Sequence, residues 1–160
     1  KEMIDRYCDA KNLHPKNVSI VLFAAFLTLI ANLSDSLILV VRQMVIKGEI
    51  INNPSPIDLS MVDNFNSFIE LISGLKCDEG DFAVHLTPIN WKAERVTINV
   101  TFVNQDVAIT EFNSKDIIIF GDYKNEEIRI GYSRNYVEDS VIRILMNKYM
   151  KTIEAIMYNM

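Results

Sequence analysis

Hydrophobic positions along the chain follow two periods. From Ile20 to Ala31 the residues are apolar apart from Thr28. Leu22, Phe23, Phe26, Leu29, Ile30 and Leu33 recur at helical spacing, with Ala24, Ala25 and Ala31 between them. A helix apolar on most sides is buried on most sides, and Ser19 ahead of it can act as its N-cap. Asn32 to Ser36 then brings turn residues. Leu37 to Val41 is an unbroken aliphatic run, the pattern of a central strand covered on both faces.

The rest of the chain divides by the same rules. Lys1 to Asn12 predicts a helix ended by His14-Pro15. Gly48 to Ser60 holds two prolines and adjacent asparagines and reads as a loop with extended ends. Asn64 to Leu75 places Phe65, Phe68, Ile69, Ile72 and Leu75 on one helical face, and Cys77 to Trp91 reads as irregular. Arg95 to Val103 alternates, with Val96, Ile98, Val100 and Phe102 on one side. Asp116 to Tyr123 and Glu126 to Tyr132 predict two strands around a turn at Lys124-Asn125. Val137 to Tyr158 predicts an amphipathic helix with the stripe Val141, Ile142, Leu145, Tyr149, Ile153, Ile156 and Met157. Glu138 and Asp139 suit its positive end. Several helices against one mixed sheet make an α/β (α+β) two-layer sandwich.

Composition narrows the class. The chain has 160 residues, enough for one domain with its own core, with 49% hydrophobic and 23% charged residues. A net charge of −5 without a Lys/Arg cluster speaks against nucleic acid. The Ile20–Ala31 run falls short of the roughly 20 residues a membrane helix needs. Cys8 and Cys77 lie far apart without metal-ligand spacing and read as reduced thiols, which places the protein in the cytoplasm. The opening KEMIDRYCDAKN reads as mid-helix, so residues 1–160 are expected to be a single domain cut from a longer chain. The sequons at Asn17, Asn32 and Asn99 fall on or beside predicted elements, where glycosylation is not expected.

Motifs of known chemistry are few. His14 reads as a solvated loop residue. His85, in FAVHLTP, has no Ser, Cys or second His at useful spacing and reads as a structural or surface histidine. Asp78, Glu79 and Asp81 lack calcium-loop spacing. Trp91 reads as a core anchor. Met146, Met150, Met157 and Met160 read as helix packing. The sequence has no Gly-rich phosphate loop, G-x-S-x-G, H-E-x-x-H or C-x-x-C.

Four segments, taken in order, resemble the C-terminal half of a condensation domain from nonribosomal peptide synthetases. SIVLFAAFLTLIANLSDSLILVV resembles the family's small/apolar helix and following strand. GEIINNPSPIDLSMVDNFNSFIELI resembles its G-x-x-x-N-T-L-P-L segment and the next helix, with Gly48, Asn52 and a nearby proline at similar spacing. NVTFVN resembles a V-x-F-x-x-Q-N strand. DIIIFGDYKNEEIRIGYSRNYVEDSVIRILMNKYMKTIEAI resembles the closing hairpin, turn and final helix. Here N-T-L-P-L-R is NNPSPID, the stretch between Leu75 and Val96 is short, and Tyr136-Val137 replaces Leu-Phe.

The resemblance implies one lobe of the chloramphenicol-acetyltransferase-like fold. Two such lobes enclose a tunnel for the phosphopantetheine arms of carrier proteins. The catalytic His-His-x-x-x-Asp-Gly belongs to the N-terminal lobe and is absent here, so no residue of this chain is expected to be catalytic and no cofactor or metal is expected to bind directly. The implied role is one wall of the acyl/aminoacyl channel in bacterial secondary-metabolite synthesis. Asn52, Asn53 and Ser55 are the expected channel residues. The implied partners are the N-terminal lobe and peptidyl carrier proteins, with a homodimer through the exposed lobe interface as a further expectation. The alternatives are a non-catalytic interaction module, a lobe of a CoA-dependent acyltransferase, or an unrelated small α/β binding domain.

Overall fold

The computed structural model describes residues 18–77, 81–104, 115–122 and 127–159. The expected N-terminal helix, Cys8, His14, Asn17, Asp78, Glu79, the Lys124-Asn125 turn and Met160 lie outside the described residues.

Helix α1 (Val18–Ser34) forms where the apolar run predicts it, and Ile20 through Leu27 are all buried. Thr28, the polar residue in that run, turns its hydroxyl back to donate to the Ala24 carbonyl at 2.9 Å. Ser19 lies within α1 and is buried, not at an N-cap position. At the other end Asp35 takes a left-handed φ of 53°, and Ser36 N–H bonds back to the Ala31 carbonyl at 3.1 Å. That is a Schellman ending with aspartate where glycine is usual.

The run after α1 does not form the expected central strand. Strand β1 (Ile38–Leu39) is two residues long and pairs with β4 (Ile57–Asp58) in a marginal ribbon. Leu39 and Val41 turn inward, but Leu37, Ile38 and Val40 are 56%, 54% and 51% exposed. The chain joins the main sheet only at β2 (Val41–Ile46). The expected loop from Gly48 likewise contains a strand. Lys47 and Gly48, with φ of 50° and 80°, make a two-residue turn into β3 (Glu49–Asn52), which pairs back on β2. Positive φ at both turn residues matches the right-handed twist of the strands.

Helix α2 (Phe65–Gly74) is started by Asn64, whose side chain accepts from the backbone N–H of Asn66 and Ser67. Ser67 Oγ in turn accepts from the Asn64 N–H at 3.1 Å, completing a capping box. Phe65, Phe68 and Ile72 are buried. The stretch expected to be irregular holds β5 (Phe82–Leu86), buried along its length, and β6 (Ile89–Trp91). FAVHL is too short and too interrupted by His85 to show a period, yet it lies between β2 and β7 near the middle of the sheet. Strands β7 (Val96–Asn104), β8 (Asp116–Asp122) and β9 (Glu127–Gly131) and helix α3 (Asp139–Asn159) follow the predicted segments closely.

The main sheet runs β3-β2-β5-β7-β8-β9, with β6 beside the first half of β7. The β7–β8 pair is parallel and the other pairs are antiparallel, so the sheet is mixed and the fold is an α/β sandwich. Buried residues of all three helices share one cluster with Met44, Phe82, Val84, Phe102 and Ile119 of the sheet. Phe23 and Phe26 of α1 meet Phe82 and Phe102 there, with ring centroids 4.9–5.2 Å apart across the helix–sheet boundary. Tyr149 of α3 is fully buried, and its hydroxyl donates to the Leu22 carbonyl at 2.7 Å. Burial pushes that phenol far above its usual range. Trp91 is in the core, as is Met157.

Where β8 passes under α1 there is no room for a side chain. A Cβ on Gly121 would stand 3.2 Å from both Leu22 Cδ1 and Phe102 Cζ. Gly121→Ala is expected to cost about 1–3 kcal/mol through overpacking, measured by urea unfolding. An unchanged midpoint would show that the α1–β8 packing yields easily.

Candidate functional site

The sheet face opposite the described helices carries a small apolar cluster, Ala83, Val103 and Ile118, with Val45 and Phe120 packed on it. Beside it runs a row of polar residues set by strand register. Asn52 of β3 pairs with Gln43 of β2, Gln43 with His85 of β5, and His85 with Thr101 of β7. Register partners share a face, so one polar row crosses four strands from the exposed edge inward. Gln43 Nε2 donates to Asn52 Oδ1 at 3.0 Å. His85 Nδ1 and Thr101 Oγ1 are 2.8 Å apart in a buried hydrogen bond.

An ion pair lies alongside. The register of β2 shifts between Val41 and Gln43. Val41 belongs to the helix-side core while Gln43 pairs with His85, so the bulge turns both Arg42 and Gln43 to the polar face. Arg42 reaches over to Asp116 on β8, Nη2 to Oδ2 at 3.2 Å. The Arg42 side chain is 42% exposed and that of Asp116 only 2%. The second oxygen, Oδ1, is buried and meets no hydrogen-bond donor among the described residues. The Arg42 charge offsets the desolvation of this carboxylate only in part, because one of its oxygens lacks a donor there.

The surroundings of His85 disfavour its charged form. Burial lowers its pKa, the Arg42 charge lowers it further, and Asp116 opposes them in part. An imidazole–hydroxyl pair is the arrangement of a general base and a nucleophile. Thr101 is 0% exposed, however, so no acyl carbon can approach its oxygen, and the pair serves to satisfy two buried polar groups. Protonating His85 is the cost instead. The folded pKa lies below the unfolded value of about 6.5, so the unfolded chain takes up a proton first as pH falls. Stability is therefore expected to be full above the unfolded value and to decline through it towards the folded one. Urea unfolding of wild type and His85→Gln between pH 7.5 and 5 tests this. The variant should lose up to one proton's slope, about 1.4 kcal/mol per pH unit, whereas equal slopes would place the pH dependence elsewhere.

Of the expected channel residues, the structure ties only Asn52 to this row. Asn53 takes a left-handed φ of 54°, and Ser55 is exposed between Pro54 and Pro56. Together they form the rim where β3 leaves the sheet edge. Arg42, Thr101 and Asp116 escape sequence reasoning, because their partners stand 74 and 16 residues away and only sheet register joins them. No group of residues suited to a metal ion is present among the described residues, and no helix there is long and apolar enough to cross a membrane. Comparison of the chain with protein-family models, with curated proteins and with solved structures found no match.

Proposed function

We propose that the chain is the C-terminal lobe of a condensation-type domain and acts by presenting a carrier-facing surface rather than by supplying catalytic groups. The observation that carries this reading is the order of the last elements. The antiparallel β8–β9 pair runs into α3, in the segment that resembles the family's closing hairpin and final helix. The channel side is the rim of Asn52, Asn53 and Ser55. A phosphopantetheine arm offers two amides along a thin chain, and the carboxamides and hydroxyl of this rim can both donate to and accept from them. The exposed Leu37, Ile38, Val40 and Met61 form the kind of apolar surface that a second lobe would cover.

Calorimetric titration of the chain with a holo peptidyl carrier protein, the same carrier in apo form and free CoA tests the proposal. The holo carrier is expected to bind more tightly than the apo form. Asn53→Ala and Ser55→Ala should each weaken it about two- to tenfold, the worth of one hydrogen bond. Binding of CoA in preference to the carrier would assign the lobe to a CoA-dependent acyltransferase. Binding of neither would leave a protein-interaction module built on the apolar surface.

A further inference from the structure

We propose that the open edge of β3 is a self-pairing surface, through which two copies of the chain join their main sheets antiparallel across a two-fold axis. The inference rests on strand geometry and not on the lobe reading, and it sets self-pairing in competition with a carrier arm, because Asn52 and Asn53 take part in both. The two sheet edges differ. The edge at β9 is guarded, because Glu127 and Arg129 occupy its exposed positions and Arg129 lies over the Phe120 ring. The edge at β3 is exposed at all four positions, and its central residues are Ile50 and Ile51, 61% and 38% exposed. Such an edge, with two isoleucines at its centre and its one charge, Glu49, at the turn end, is a template for another strand.

Register shows which strand fits. Ile46 and Glu49 close the two-residue turn as a hydrogen-bonded pair. The backbone N–H and C=O of Glu49 and Ile51 therefore point to β2, and those of Ile50 and Asn52 point outward. The Lys47 N–H reaches the Asp81 carbonyl on the far side of β2 at 2.9 Å, which agrees with this alternation. A two-fold axis through Ile51 places Ile50 opposite Asn52 of the second copy, and the reverse. All four outward groups on each edge then have a place in one ladder of four hydrogen bonds. Ile51 faces Ile51 of the second copy in the closer, non-hydrogen-bonded pairing, and Glu49 faces Asn53. No like charges are opposed. The left-handed turn at Asn53 and the following Pro54 end the ladder, so the interface is small and the dimer is a weak one.

Sedimentation velocity of the chain from about 1 µM to 1 mM should show a monomer passing to a dimer and to nothing larger. Because Ile51 faces itself, Ile51→Lys and Ile51→Glu should each stay monomeric at concentrations where wild type associates. An equimolar mixture of the two should associate again, since opposite charges then meet. Circular dichroism confirms that each variant is folded. If either is not, Ile51→Cys replaces them and should cross-link as a dimer on oxidation at least tenfold faster than Ile50→Cys, whose thiols stand out of register. A wild type monomeric throughout, association undiminished in the folded Ile51 variants, a mixture that stays monomeric, assemblies larger than a dimer, or equal cross-linking rates would each overturn the proposal. Larger assemblies would point to β3–β9 pairing in a chain of copies, and an undiminished dimer to the Leu37–Val40 surface.

Discussion

Phe102→Ala is expected to lower the stability of the fold by about 3–5 kcal/mol, the usual cost of emptying a buried aromatic site. Phe102 is fully buried at the centre of β7, with Phe23, Phe26 and Phe82 around it at ring separations of 5.1–5.9 Å. The loss therefore removes contacts both along the sheet and to α1. Neighbouring main-chain ladders hold β5 and β8 in place on either side, so the cavity cannot close by a shift of the strand. A domain of this kind is stable by roughly 5–15 kcal/mol, and the variant should sit at the margin of folding. Guanidinium unfolding measures it, with the exposed Met61→Ala as a control expected to stay within about 0.5 kcal/mol. A Phe102→Ala cost under about 1 kcal/mol would contradict the packing described.

Arg42→Met is the second large effect, expected at about 2–4 kcal/mol. It strands the Asp116 carboxylate, whose side chain is 2% exposed, without its cation. Breaking a buried pair from one side costs about 3–5 kcal/mol, and the half-exposure of Arg42 reduces that figure. The asymmetry is the test. Asp116→Asn alone leaves Arg42 with access to water and should cost much less, and Arg42→Met/Asp116→Asn should recover at least half of the single-variant loss. If the two single losses simply add, Arg42 and Asp116 are not coupled and the ion pair is not part of the site.

How much of this was legible in the sequence depended on whether a side chain answered to its neighbours along the chain or across it. Helices α1 and α3, the capped helix after Asn64 and the alternating β7 are set by local periods of 3.6 and 2, and they formed where those periods indicate, while β8 and β9 formed where apolar runs flank a turn signal. Leu37 to Val41 misled because an aliphatic run carries no period, and its burial depends on whether a second layer covers it. The Lys47-Gly48 turn was the overlooked signal for the β2–β3 hairpin, since Gly48 supplies the positive φ that such turns demand. Asn52 is named in the sequence only through the family resemblance of the Gly48–Asn52 segment. Arg42, His85, Thr101 and Asp116 come together only through register across separate strands, and no spacing rule reports that.

The proposed function sets a carrier-borne phosphopantetheine arm against the rim at Asn52, Asn53 and Ser55. Amide NMR of the uniformly labelled chain during addition of a holo peptidyl carrier protein tests it most directly. Shift changes are expected to concentrate at residues 48–55 and at Gln43, which the Asn52 side chain holds, with much smaller changes for the apo carrier. An unchanged spectrum at millimolar holo carrier, or changes confined to other surfaces, would contradict it.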